Sequence, residues 1–446
     1  MKTRNLTEGN IYKELISLAL PIMATSFIQM SYNLMDLFWL GRLSIEAVAA
    51  AGTVGFFGWL SYAICMMLSV GVQISVADCI GKKDMESVQK YISNAIKFAL
   101  IVGIVFISLM SLFKAQIIHF FNLDESVTKL AFEYYGFFVA SIFFNFVNPV
   151  LTGILNGQGE SKIPFIINTI ALGINIVLDP ILIFGFGFVK PMGIKGAALA
   201  TFIAQMSACI MFMIARFEYF KYLKEKMHLN YVKRLFDLGF PIALQECLFA
   251  TFSIIMAAII AHCGKEAIAA QKIGNQIESI TWLTVGGFSV ALSTFIAQNN
   301  GAKKYSRVMD GYKKGMKICI GIGIFTTIIL FTFAPQLFKL FIPDDPNTLN
   351  IGVVYLRILS ISEILMCVEI ATTGFLNGIS LTKYPSINGI VFNFIRIPLS
   401  LLVMYSNLRI EWIWVIISSL VICKGISLFI IFYTRVYKNK LKYLLD

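Results

Sequence analysis

Leu18–Ile22 reads LALPI, and Leu238–Ile242 reads LGFPI. The echo is not isolated. Glu46–Ala50 (EAVAA) returns as EAIAA at Glu266–Ala270, and GKK at Gly81–Lys83 returns as GAKK at Gly301–Lys304, all at one spacing of about 220 residues. GILNG at Gly153–Gly157 matches GFLNG at Gly374–Gly378, one residue further on, and each copy is followed by a lysine and a proline (Lys162, Pro164; Lys383, Pro385). Solenoid repeats are far shorter, so the chain is one large unit written twice.

The composition says what kind of unit. Of 446 residues, 58% are hydrophobic and 14% charged, and the mean hydropathy is +0.77. An ordinary soluble surface cannot be built from that mixture, so the chain reads as a membrane protein. The net charge of +12 would fit nucleic acid only on a basic face of a soluble module, and no segment is long and polar enough to supply one. The eight cysteines stand singly, mostly in apolar runs and without a C-x-x-C pair, and His119, His228 and His262 are isolated. Neither a disulfide framework nor a metal site is expected. Lys2, Arg4 and Lys13 precede an apolar run as they would in a signal peptide, but the run continues through Pro21 to about Leu40, too long for a cleaved core.

About 20 apolar residues span the hydrocarbon core. That measure predicts an all-α polytopic protein of roughly twelve helices, near 14–40, 45–78, 88–113, 126–156, 163–187, 193–216, 234–262, 266–297, 310–334, 347–378, 384–405 and 411–434. Several exceed the bilayer thickness and are expected to tilt or bend. With the N-terminus inside, cytoplasmic segments hold roughly 24 basic residues and outer loops roughly 9. The clusters are Lys82, Lys83 and Lys90; Arg216, Lys221, Lys224, Lys226, Lys233 and Arg234; Lys303, Lys304, Arg307, Lys313, Lys314 and Lys317; and Arg435, Lys438, Lys440 and Lys442. Both termini are therefore expected in the cytoplasm, with the clusters acting as topology signals and contacts to lipid headgroups. Six spans per copy make the copies parallel, a transporter plan with the pathway between them. The polar stretch 217–232 lies between the copies, giving lobes at 1–216 and 233–446.

Ionisable groups in such helices are costly and mark functional candidates. Asp36 lies in YNLMDLFWLG, and Gly173–Phe184 reads GINIVLDPILIF, with Asn175 and Asp179 one helical turn apart on one face. At 1.5 Å per residue Asp179 sits roughly 25 Å from Lys162, a depth comparable with that of Asp36. Pro180 removes a backbone hydrogen bond and leaves carbonyls available beside the carboxylate. Two carboxylates, an amide oxygen and free carbonyls suit a hard cation such as Na⁺, and two close carboxylates could equally share a proton. The second copy has no aspartate there. It places Arg396 near the position matching Asn175, with Glu246 and Glu278 at mid-membrane depth and Glu369 deeper toward the cytoplasm. These residues read either as a structural charge network or as a substrate or second coupling site. Abundant Phe, Met and Tyr would suit flat hydrophobic cations, although such residues pack any helical membrane protein.

Two six-helix copies together with LPIMATSFIQMSYNLMDLFWLG, ILNGQGESK, NIVLDP and GIKGAALAT resemble the multidrug and toxic compound extrusion (MATE) family over nearly the whole chain. The resemblance implies V-shaped bundles and export of organic cations or other xenobiotics in exchange for H⁺ or Na⁺. It implies no enzyme activity and no resident cofactor, and a monomer in the cell's inner membrane is expected. The N-terminal motifs are similar to the branch typified by the DNA-damage-inducible protein F, which places ion coupling on Asp36, Asn175, Asp179 and Thr201, with Na⁺ possible on those four. Gln29, Asn33, Tyr135, Asn156, Pro180, Glu246, Glu278 and Arg396 are the substrate-binding or supporting candidates. The sodium-linked branch uses carboxylates on helices 7 and 10; Glu246 and Glu369 lie about three residues off its positions, so that role is not carried over. A lipid-linked oligosaccharide flippase of the same superfamily would need a basic cavity, to which only Arg396 points. An intramembrane aspartyl protease using Asp36 and Asp179 would need a Gly-x-Gly-Asp element, whereas Asp179 follows Val177-Leu178.

Overall fold

A computed structural model describes residues 3–342, 345–406 and 408–438; Lys2, Lys440 and Lys442 lie outside the described residues. The chain is helical, and among the described residues there is no strand beyond an isolated bridge between Phe186 and Val189. The long helices are α1 (Ile11–Leu43), α2 (Ile45–Gly81), α3 (Met85–Leu112), α4 (Glu125–Gly157), α5 (Lys162–Phe184), α6 (Ile194–Ala215), α7 (Leu229–Ala261), α8 (Lys265–Gly301) and α9 (Tyr305–Thr332). They continue with α10, formed by Pro346–Ser360 and Glu363–Gly378, then α11 (Lys383–Tyr405) and α12 (Glu411–Phe432). Among the described residues eleven helices are long and apolar enough to cross a membrane, or twelve when the two segments of α10 count as one span.

The long span expected at 347–378 is bent by 51° between its two segments. Its sequence there is Ser360-Ile361-Ser362, and the serines compete for the helix's own carbonyls: Ser360 Oγ donates to Arg357 O and Ser362 Oγ to Leu359 O. Side chains of neighbouring helices take other carbonyls, with Thr327 Oγ1 donating to Ser360 O (3.0 Å) and Ser418 Oγ to Ile358 O (3.1 Å). These bonds satisfy two of the carbonyls beside the break.

Two compact units emerge from the packing. The first is Met1–Asn5 with Ala24–Ala243, and the second is Leu6–Met23 with Leu244–Asp446. The helices α1 and α7 are each divided, changing unit two residues after Pro21 and two after Pro241, and the polar stretch 217–232 belongs wholly to the first unit.

Within each unit the repeated glycines explain the repeated motif. A Cβ on Gly153 or Gly157 of α4 would lie 2.4 Å from Ser69 O or 2.6 Å from Gln73 O of α2. In the second unit a Cβ on Gly374 or Gly378 of α10 would lie 2.6 Å from Ser289 O or 2.7 Å from Ser293 O of α8. Glycines four residues apart let two backbones approach where apolar burial alone gives little drive, because lipid tails are as apolar as leucine. The same serines lock each crossing: Ser69 Oγ donates to Pro149 O (2.7 Å) and Ser289 Oγ to Ile370 O (2.8 Å). At the helix starts, Ser44 caps α2 through the Ala47 N–H, and Asp84 caps α3 through that of Ser87.

Candidate functional site: an acid pair in the first unit

The first unit gathers polar side chains from α1, α4, α5 and α6 at one place. Asn175 and Asp179 on α5 are both fully buried, and Asn175 Nδ2 donates to Asp179 Oδ1 at 3.3 Å, as the one-turn spacing allows. Asp36 of α1 lies within hydrogen-bonding reach of Asn175, Asp179 and Thr201, and Thr201 Oγ1 donates a long bond (3.5 Å) to Asp36 Oδ2. The approach of α6 to α5 has a local cause: a Cβ on Gly196 would meet Leu182 O at 2.4 Å, so glycine in the GIKGAALAT segment lets Thr201's helix seat against the acid-bearing one. Pro180 has no N–H to offer the Ile176 carbonyl.

Three oxygens in this cluster are buried without a hydrogen-bond partner: Asp36 Oδ1, Asn175 Oδ1 and Asp179 Oδ2. Buried polar atoms are normally satisfied, so three unsatisfied acceptors converging from two helices are a place for something positive. All are hard oxygen donors, which suit Na⁺ with the Thr201 hydroxyl beside them, and the two carboxyls can equally take up a proton.

The other sequence candidates fall elsewhere. Gln29 and Asn33 are exposed side chains of α1. Tyr135 is buried and donates to Met110 O (2.8 Å), a helix-tying role in the unit's core. Its neighbour Tyr134, which the sequence reading passed over, faces both Asp36 and Asp179, as does Tyr32, whose hydroxyl has no partner. Asn156 is buried near the end of α4.

In the second unit the acids separate into two groups. Glu246 shares the field of Lys424 and Glu369, which pair at 3.2 Å. Glu278 faces Arg396, and Arg396 also neighbours Tyr355, whose hydroxyl donates to Asn275 Oδ1 (2.5 Å). Lys424 and Glu363 escaped the sequence reading. Lys424 is a single lysine within the apolar VICKGISLF and Glu363 an acid midway along the span expected at 347–378, and both signals could have been taken.

The MatE family model matches residues 21–181 and 241–402, one match in each copy of the repeat. A probable multidrug resistance protein NorM of Thermotoga maritima is 28% identical over 414 residues, covering 91% of this chain and 88% of that protein. A probable multidrug resistance protein YoeA of Bacillus subtilis is 25% identical over 432 residues, covering 93% and 91%. A solved outward-facing multidrug resistance MATE family transporter superposes with a TM-score of 0.89 at 22% identity, over 98% of this chain and 99% of that one. With matched segments covering most of the sequence and each falling on one copy of the duplicated six-helix unit, the chain belongs to the MATE family of multi-pass membrane transporters.

Proposed function

We propose that the protein exports organic cations or other xenobiotics across the cell's inner membrane by antiport with H⁺ or Na⁺, coupled at Asp36, Asn175, Asp179 and Thr201. The observation that carries this reading is the convergence of those four side chains, three of whose oxygens are buried without partners. In the outward-open state the ion enters this cluster, α1 repacks, the drug site loses affinity and the drug leaves; the ion then discharges to the cytoplasm. One net charge moving down 100 mV supplies about 2.3 kcal/mol, which helps drive export of a neutral substrate, whereas one-for-one exchange with a monovalent cation is electroneutral and is driven by the ion's concentration gradient. The excess of basic residues on one side supports cytoplasmic termini, and the working division is a lobe at 1–216 and a lobe at 233–446, acting as a monomer. Arg396, the residue that keeps a flippase reading open, lies in the field of Glu278.

The test is ethidium efflux from cells expressing wild type, Asp36→Asn or Asp179→Asn, with Na⁺ and pH varied separately. Both substitutions are expected to abolish ion-dependent efflux. Wild-type rates in both would refute the coupling assignment.

A further inference from the structure

The first unit holds a second cluster of unsatisfied polar atoms, opposite in character to the acid pair. It lies just past the end of α6, roughly 22 Å along that helix from Thr201. Gln158, in the turn after α4, is fully buried; its Oε1 accepts the Tyr219 hydroxyl (3.1 Å) and its main-chain carbonyl accepts the Arg4 N–H (2.9 Å). The Arg216 side chain is within hydrogen-bonding reach of the same hydroxyl, and its Nη1 donates a long bond (3.5 Å) to Ala215 O. Gln158 Nε2, Arg216 Nε and Arg216 Nη2 are buried with no acceptor among the described residues. Buried N–H groups are normally paired, so three unpaired donors around one tyrosine are a place for a ligand rich in acceptor oxygens. Two of them belong to a guanidinium, whose planar fork matches a phosphate.

Arg216 also lines a cavity of about 380 Å³, together with Ile214, Ala215, Phe217 and Glu218. Its wall thus carries one positive and one negative side chain. Beside it Ile214 and Phe217 are 72% and 70% exposed, and with Ile210 they continue one stripe, at spacings of four and three residues, off the end of α6. An apolar stripe on a membrane-spanning helix faces acyl chains, so the cavity opens where headgroups begin. A bare phosphate there would be repelled by Glu218. A ligand carrying an ammonium on a short arm from its phosphate meets both charges, and a primary ammonium adds N–H donors for the carboxylate that a quaternary one lacks. Lysine clusters attract any anionic headgroup through a diffuse field, whereas an acid and a base in one cavity select a zwitterion. We propose that this cavity binds the phosphoethanolamine headgroup of a phospholipid, in the leaflet on the side of the 217–232 connection. Arg216 and the Gln158 amide take its phosphate, Glu218 takes its ammonium, and its acyl chains lie along Ile210, Ile214 and Phe217.

The purified full-length chain in detergent provides the test, with bound lipid counted by native mass spectrometry; the measurement needs no transport and stands apart from the antiport reading. Short-chain phosphatidylethanolamine is expected to bind tighter than phosphatidylglycerol of the same chains. Arg216→Gln is expected to weaken phosphatidylethanolamine about tenfold, the scale of a lost charge-assisted hydrogen bond. Glu218→Gln is expected to abolish the preference, leaving phosphatidylglycerol bound as well as phosphatidylethanolamine. Lys221→Gln removes a neighbouring charge that does not line the cavity, and is expected to bind like wild type. Equal binding of the two lipids by wild type, wild-type binding by Arg216→Gln, or the same weakening by Lys221→Gln overturns the proposal. Should Arg216→Gln fail to fold, Glu218→Gln decides, since a preference that survives it also overturns the proposal. Water-soluble phosphoethanolamine separates the two sources of this chemistry: at equal concentration it is expected to leave the lipid bound, and displacement would give the cavity to a soluble amino-phosphate and refute the lipid.

Discussion

Gly239→Ala isolates how tightly the first segment of α7 is seated in the first unit. A Cβ on Gly239 would lie 1.8 Å from the carbonyl oxygen of Met67, 2.5 Å from its carbon and 2.7 Å from its Cα. Ordinary contact begins at 3.4 Å, so α7 must retreat from α2 by about 1.6 Å along that line. The obstruction is backbone and cannot rotate away. The reciprocal contact is as close, since a Cβ on Gly71 would meet Leu235 O at 2.5 Å. Overpacking costs about 1–3 kcal/mol where side chains can adjust, and a backbone clash belongs at or above the upper end of that range. At about 3 kcal/mol the equilibrium between native and disrupted packing shifts by more than a hundredfold. Gly136→Ala in α4 is the matched control, because nothing lies within 4 Å of the added methyl. It should gain up to about 1 kcal/mol of helix propensity. The assay is heat treatment of the detergent-solubilised protein followed by size-exclusion chromatography of what remains monodisperse. Gly239→Ala should lose its monodisperse peak several degrees below wild type, and Gly136→Ala at or above wild type. Equal behaviour of the two variants, or a Gly239→Ala chain as stable as wild type, would refute the close-approach reasoning.

Thr201→Val removes the hydroxyl that reaches Asp36 Oδ2 at nearly constant volume, and is expected to raise the coupling-ion concentration for half-maximal efflux about tenfold, equivalent to about 1.4 kcal/mol. Unchanged Na⁺ and pH profiles would remove Thr201 from the site. Outside the membrane, the Thr348 hydroxyl, then the Thr348 and Asn347 N–H groups, hold the Asp345 carboxyl below the usual carboxylate range. A carboxyl depressed in the folded state contributes stability above its unfolded value and loses it as pH falls through the folded one. Protection of the Asn347 and Thr348 amides against exchange, taken relative to the intrinsic rate at each pH, should therefore hold at neutral pH and be lost only in acid below the ordinary carboxylate range. Asp345→Ala should exchange fast throughout, and a wild-type turn already frayed at neutral pH would refute the cap.

What one helix dictates could be read from the chain, because it depends only on rise and turn. Apolar length set the spans, the 220-residue echo set the two copies, and the four-residue spacing placed Asn175 and Asp179 on one face. An acid inside GINIVLDPILIF is conspicuous in any fold, since hydrocarbon penalises it wherever the helix sits. What two helices decide between them could not be read. Tyr134 and Tyr135 are adjacent and chemically identical, yet about 100° of helix rotation turns one toward the acids and the other to Met110 O. The glycine motifs announced a repeat without saying that each glycine faces a carbonyl of a partner helix. That Glu363 shares its surroundings with Glu278 of α8 could not be read from its own helix. Pro21 and Pro241 mark where α1 and α7 pass from one unit to the other, but the sequence does not say which neighbours each part packs against. Hydropathy and periodicity are local sums along one chain segment, whereas pairing of buried charge and close backbone approach depend on contacts between segments far apart in sequence.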